Sequence, residues 1–247
     1  MAATKSVTRE RVLAAGVALA DAEGLGALTM RGVATALGIE AMSLYHHLPG
    51  KKEELLDGLI DVVAAEMATQ VGAAAETVAD PSDGAWVAEV RSRCLAAREV
   101  MLRHPWMPRL LGSRTTIRPG VFQLYEDVLG VMVRGGCSYR LAHRAMHALG
   151  SMVLGFSQEL FGPGGGGEDT SEAETEAMAA ALPYTSAMVA AELHDATDPM
   201  LGWCDSQTEF EFTLGLLLDG LERARRAEAG RAPASGEPQA STGPSRD

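Results

Sequence analysis

The stretch from Leu28 to Leu48 constrains this chain more than any other. Residues 29–37 predict a short helix: Thr29 offers an N-cap oxygen to a free backbone N–H, and Val33, Ala34 and Leu37 recur at helical spacing. Gly38 ends it, since glycine takes the left-handed backbone of a helix C-terminus without steric cost. A second short helix is expected from about Ala41 to His47, anchored by Leu44, with Leu48 following. Two short helices joined at a glycine form a helix-turn-helix. The second one carries Ser43, Tyr45, His46 and His47, so hydroxyl and imidazole groups stand where core residues would otherwise be. A helix of this make-up can enter a DNA major groove and meet base edges and phosphates together.

The flanks extend the pattern. A longer helix is expected from Thr8, with Glu10 in its first turn, Val12, Ala15, Gly16 and Leu19 on one face, and Gly24 as its stop. After the pair, Leu48-Pro49-Gly50 makes a turn into a helix that carries Leu56, Leu59, Ile60, Val63 and Met67 on one side and runs over 55–71. With Leu28-Thr29, Arg31, Val33-Ala34, Leu37-Gly38-Ile39, Leu44-Tyr45, His47, the lysines 51 and 52, and Leu55-Leu56 in place, the segment from Thr8 to Met67 resembles the N-terminal domain of TetR-type transcriptional regulators. One extra residue stands between Leu48 and Leu55-Leu56, so either Lys51 or Lys52 matches the family's phosphate-contacting lysine. The resemblance implies an all-α chain with a three-helix head and a helical body. It also implies a homodimer on a palindromic double-stranded operator, its recognition helices on the order of 34–36 Å apart. Ala41, Met42, Ser43, Tyr45, His46 and His47 would face the groove. Thr29, Arg31, Tyr45, Lys51 and Lys52 would hold phosphates.

Charge agrees once it is divided. The net charge is −12, yet residues 1–52 hold six basic and four acidic side chains, a net of +2, while the other 15 basic and 29 acidic residues make −14. The positive excess sits at the end expected to meet DNA, and binding should depend on local contacts and on salt. The N-terminus, Met-Ala-Ala-Thr-Lys, lacks an apolar leader, and no uninterrupted apolar run of membrane-spanning length is read. The cysteines Cys94, Cys137 and Cys204 are odd in number and far apart, which suits reduced thiols. A cytoplasmic protein with no membrane partner is expected.

The rest divides into a helical body, residues 72–228, and a Pro/Gly/Ser-rich tail, residues 229–247, with too little apolar content to fold. The head covers residues 1–52 and is linked to the body by the helix over 53–71. Body helices are expected over 85–103, 119–134, 138–160, 171–193 (kinked or split at Pro183) and 206–228, with His104 to Pro108 as a broken segment and 161–169 as a glycine-rich loop. Leu111-Gly112-Ser113-Arg114, the run from Leu129 to Gly136 and the run from Ala148 to Glu159 are similar to the regulatory domain of the tetracycline repressor subgroup. That resemblance implies an effector pocket and a four-helix dimer bundle. The small residues Ala142, Ala145, Ala148, Ser151 and Gly155 would face the row Phe212, Leu216, Leu217 and Leu221 across it.

The subgroup's effector does not carry over. Its magnesium-ligating histidine is matched here by Leu110, which binds no metal, and Glu159 matches an acidic residue near that site. A fairly apolar small molecule is expected instead. Trp106, Met107, Arg114, Phe122, His147, Met152, Phe156 and Glu159 are the candidate contacts, and plain core packing is the competing role for each apolar one. His143 and His147 stand at i, i+4, the spacing that lets two imidazoles share a zinc, but no third ligand is evident, so a structural or interfacial role is favoured. No metal, cofactor or catalytic constellation is expected. Two alternatives remain: a DNA-binding dimer without effector, and a helical small-molecule binder without DNA function.

Overall fold

The computed structural model describes residues 7–76, 84–156, 172–191 and 206–230. Among the described residues every regular element is a helix, as expected. The head consists of α1 (Arg9–Glu23), α2 (Met30–Leu37) and α3 (Ala41–Leu44). Thr8 caps α1 by accepting from the Arg11 N–H at 3.3 Å, and Thr29 caps α2 by accepting from the Gly32 N–H at 2.9 Å. Gly38 lies at φ 67°, ψ 35°, and the Ile39 N–H returns to the Ala34 carbonyl at 3.0 Å, closing α2 in the expected left-handed cap.

From the head the chain enters α4 (Lys51–Glu76), which is longer than expected and begins where the head was expected to end. The boundary at residue 52 therefore falls inside a continuous helix. By length and composition α4 could cross a membrane, which the sequence reading did not foresee. It instead packs on α1 in the head and on α5 (Ala85–Arg103) and α7 (Pro119–Arg134) in the body. Leu55, Leu59, Ile60 and Val63 are fully buried there. Such burial contributes about 1.5–3 kcal/mol per large apolar side chain before entropy is set against it.

Between α5 and α7 lies α6 (Met107–Gly112), where a broken segment was expected. Pro108 occupies the first turn, where a missing N–H costs nothing, so it starts the helix instead of breaking it. α8 (Tyr139–Gly155) is capped by Ser138 and packs on α5, α7 and α11 (Ser206–Ala229). The stretch expected to kink or split at Pro183 is split there, into α9 (Glu172–Ala181) and α10 (Pro183–Ala191). The end of the expected α8, the glycine-rich loop, Glu159, Cys204 and the tail lie outside the described residues.

The expected dimer-facing sets need correction. Ala142 and Ala145 are fully buried against their own subunit, whereas Ser151 and Gly155 are exposed as expected, on a face of α8 that also carries Tyr139, Arg140, His143, Arg144 and His147. On α11, Phe212 and Leu216 are exposed as expected of an unpaired face, whereas Phe210, Leu214 and Leu218 form the buried row.

Candidate nucleic-acid interface and body cavity

The recognition element is shorter than expected. α3 makes one α-turn, and then Tyr45 N–H bonds to Met42 and His47 N–H to Leu44, both i→i+3, so the backbone tightens after Leu44. Leu44 and Leu48 are fully buried, and these two anchors fix the rotation of the segment. Met42, 71 % exposed, and His46 then share the outer face, with Ala41, Ser43, Tyr45 and His47 partly exposed at its sides. Thr29 and Arg31, at the start of α2, are exposed on the same head, although the Thr29 hydroxyl oxygen already serves as a cap.

Lys51 has an unusual backbone. Its N–H bonds to the Leu48 carbonyl at 2.9 Å, and it takes φ 56°, the left-handed region that costs a side-chain-bearing residue roughly 1–2 kcal/mol. Lys51 and Lys52 are both exposed. At the start of α4 the Glu54 carboxylate accepts from the Gly50 N–H at 2.8 Å, so that donor is not open to an anion. Glu53 is drawn off to Arg114 at 2.7 Å. Any phosphate held here is held mainly by the two ammonium groups.

The body holds a partly open apolar cavity of about 130 Å³ between α4, α5, α6, α7 and α8. Met67, Met101, Met107 and Met146 supply polarisable walls, Tyr125 and Arg93 supply the polar edge, and Arg93 is tied to Glu89 at 2.8 Å. Burial pushes the Cys94 thiol in the wall up to about 12, so it stays protonated and unreactive.

Of the expected effector contacts among the described residues, only Met107 lines this cavity. Phe122 points outward, 56 % exposed, because Val121 takes the inward position on α7. His147 is exposed beside His143 on the outer face of α8. Met152 is buried elsewhere in the core, and Phe156 packs edge-on against Phe210 at 5.7 Å. Arg114 bonds Glu53 and Asp57 of α4.

Trp106 belongs to a joint that the sequence reading missed. Its indole N–H donates to Asp21 of α1 at 2.6 Å, and the same Asp21 oxygen lies 2.8 Å from His104 Nδ1. His104 Nε2 is 3.2 Å from Glu66 of α4. Partial burial works against ionising Glu66, but hydrogen bonds from Arg103 and His104 outweigh it and keep its carboxyl below the usual range. Head, α4 and body thus meet in one polar cluster. Nearer the start of α4, Arg118 pairs with Asp61 at 2.5 Å and Arg114 pairs with Asp57 at 3.4 Å.

A helix-turn-helix head joined by one continuous helix to a body with an apolar cavity defines a class: helical DNA-binding proteins with room for a small molecule. Residues 12–59 match the tetR family of bacterial regulatory proteins, and residues 78–225 match the tetracyclin repressor-like C-terminal domain. The chain belongs to the TetR family of transcriptional regulators. It is 30 % identical over 223 residues to the transcriptional repressor DrrR1 of Streptomyces coeruleorubidus, covering 88 % of this chain and 78 % of that one. Its fold is similar to that of apo ActR from Streptomyces coelicolor, with TM-score 0.66, 26 % identity, and 90 % and 98 % of the two chains covered. The structure of ActR in complex with actinorhodin gives TM-score 0.60 at 25 % identity over 91 % and 98 %.

Proposed function

We propose that this regulator binds a palindromic operator as a homodimer and is released when an apolar small molecule occupies the body cavity. The observation that carries this reading is α4 itself. It begins at the exposed Lys51 and Lys52 and, within the same helix, forms the cavity wall through Ala64, Met67 and Val71. Met42, Ser43, Tyr45 and His46 are the proposed base readers, with Ala41 and His47 beside them. Thr29, Arg31, Lys51 and Lys52 are the proposed phosphate contacts. The exposed Phe212 and Leu216 support pairing of α11 with a second copy. The methionine-rich wall and Tyr125 favour a flat aromatic ligand, since thioether sulfur packs well against ring edges. ActR, solved with actinorhodin, makes that compound a reasonable first probe. A cytoplasmic location goes with a DNA partner.

Selection of bound duplexes from a random pool tests the first half. The wild type should enrich a palindrome that Tyr45→Ala and the double variant Lys51→Ala/Lys52→Ala lose, and no enrichment at low salt would overturn the reading. For the second half, Ala97→Phe fills the cavity. It should keep operator binding and lose release by any compound found, beginning with actinorhodin, whereas unchanged release would move the effector site elsewhere.

A further inference from the structure

α8 presents a pair of side chains that neither operator reading nor the cavity uses. His143 and His147 lie one turn apart on its outer face, the side turned toward a second copy in the proposed dimer, while Ala142, Ala145, Leu149 and Met152 turn inward. The two Nε2 atoms converge to 2.9 Å, with ring centroids 4.8 Å apart and the planes at 52°. Among the described residues, no carboxylate or other polar side chain is hydrogen-bonded or ion-paired to either ring. Without a metal, the contact is one N–H donated to one lone pair. If the donor ring moves its proton to its other nitrogen, both Nε2 lone pairs are free, and a small rotation of the exposed rings turns them toward a common ion.

We propose that His143 and His147 form a two-imidazole chelate for a divalent transition-metal ion. Imidazole nitrogens bind such ions at about 2.0–2.1 Å, and two bonds of that length spanning 2.9 Å enclose an angle of about 90°. That is the cis angle of tetragonal coordination, which suits Cu²⁺ and Ni²⁺ better than tetrahedral Zn²⁺. Cu²⁺ also stands highest in the usual affinity order for nitrogen ligands. Among the described residues no group of three or more His, Cys, Asp or Glu side chains converges, so one chain offers two ligands and leaves the other positions open to water or to a second copy. The exposed Arg140 and Arg144 flank the pair, so the ion is held by ligand-field bonding and not by surface charge. The site does not depend on operator binding.

The test is titration of the full chain with Cu²⁺, followed by calorimetry and by electron paramagnetic resonance. The expected result is one ion per chain with hyperfine structure from two nitrogens. His143→Asn and His147→Asn should each weaken binding at least tenfold, while the double variant His46→Asn/His47→Asn leaves it unchanged. Half an ion per chain with more nitrogens, lost in the same variants, would also support the chelate and would assign the remaining ligands to a second copy. Cu²⁺ binding unaltered in the double variant His143→Asn/His147→Asn, with its helix content intact by circular dichroism, would overturn the proposal.

Discussion

Lys51 shows how much a single residue can carry. Its left-handed backbone is a local strain that glycine would not feel, so Lys51→Gly should raise stability by about 1 kcal/mol while removing one charge from the DNA-facing side. Thermal unfolding should show a higher Tm for that variant, alongside weaker operator binding with a shallower salt dependence. Lys52→Ala should weaken operator binding without the gain in Tm. Glu222 offers a pH signature. Hydrogen bonds from Arg225, together with those from Arg226 and Trp86, outweigh desolvation and hold its carboxyl at about 2, against an ordinary 4.5. A depressed carboxyl stabilises the fold above about pH 4.5 and loses that contribution as the pH falls toward 2. The stability difference between wild type and Glu222→Gln, measured by denaturant unfolding, should therefore shrink across that window. None of this is written in the sequence. A lysine after Pro-Gly and a glutamate three residues before an arginine are both common, and only the fold decides which backbone or partner each one receives.

Helices were easier to foresee than their contents. Thr8, Gly24, Thr29, Gly38 and Ser138 mark ends through local hydrogen bonds, which is why α1, α2 and the start of α8 fall where the sequence put them; α5 and α7 are bounded instead by Gly84, Pro119 and Gly135. α6 was missed because Pro108 can start a helix as readily as interrupt one, and sequence alone does not say which. The cavity lining was largely missed because it depends on which face each helix turns inward, and neighbouring positions such as Val121 and Phe122 are equally apolar. Close approach of α1 and α4 was equally hidden. A Cβ on Gly58 would stand 2.5 Å from the Leu13 side chain, and one on Gly16 would stand 3.0 Å from Leu59. Because Leu13 is itself buried, Gly58→Ala should destabilise by about 1–2 kcal/mol despite alanine's better helix propensity. Shortening the obstacle in Leu13→Ala/Gly58→Ala should cost less than the two single changes summed, a double-mutant cycle that chemical denaturation can close.

At the scale of the molecule, the joint at Asp21, Glu66, His104 and Trp106 ties the head to the body at the level of the cavity. Trp106→Phe keeps the ring and deletes the donor. It should leave compound binding to the isolated protein nearly unchanged while altering how far that compound weakens operator binding, and equal release in both proteins would remove the joint from the coupling path. The cavity also bears on this path. At about 130 Å³ it is smaller than the roughly 300–1,000 Å³ that drug-sized ligands occupy, so a ligand larger than a single ring extends through its open side or pushes its walls apart. α4 is one of those walls. At 1.5 Å per residue, Lys51 and Met67 lie about 12 Å to either side of Leu59. The arginine contacts on Asp57 and Asp61 grip the helix near that midpoint. On the proposed reading, a pivot there would make α4 a balanced beam with arms of equal length: an ångström of outward push at the cavity would return as about an ångström of opposite swing at the lysines. In a symmetric dimer the two beams move together, so the distance between the heads changes by about twice that amount, while the operator's helical repeat stays fixed.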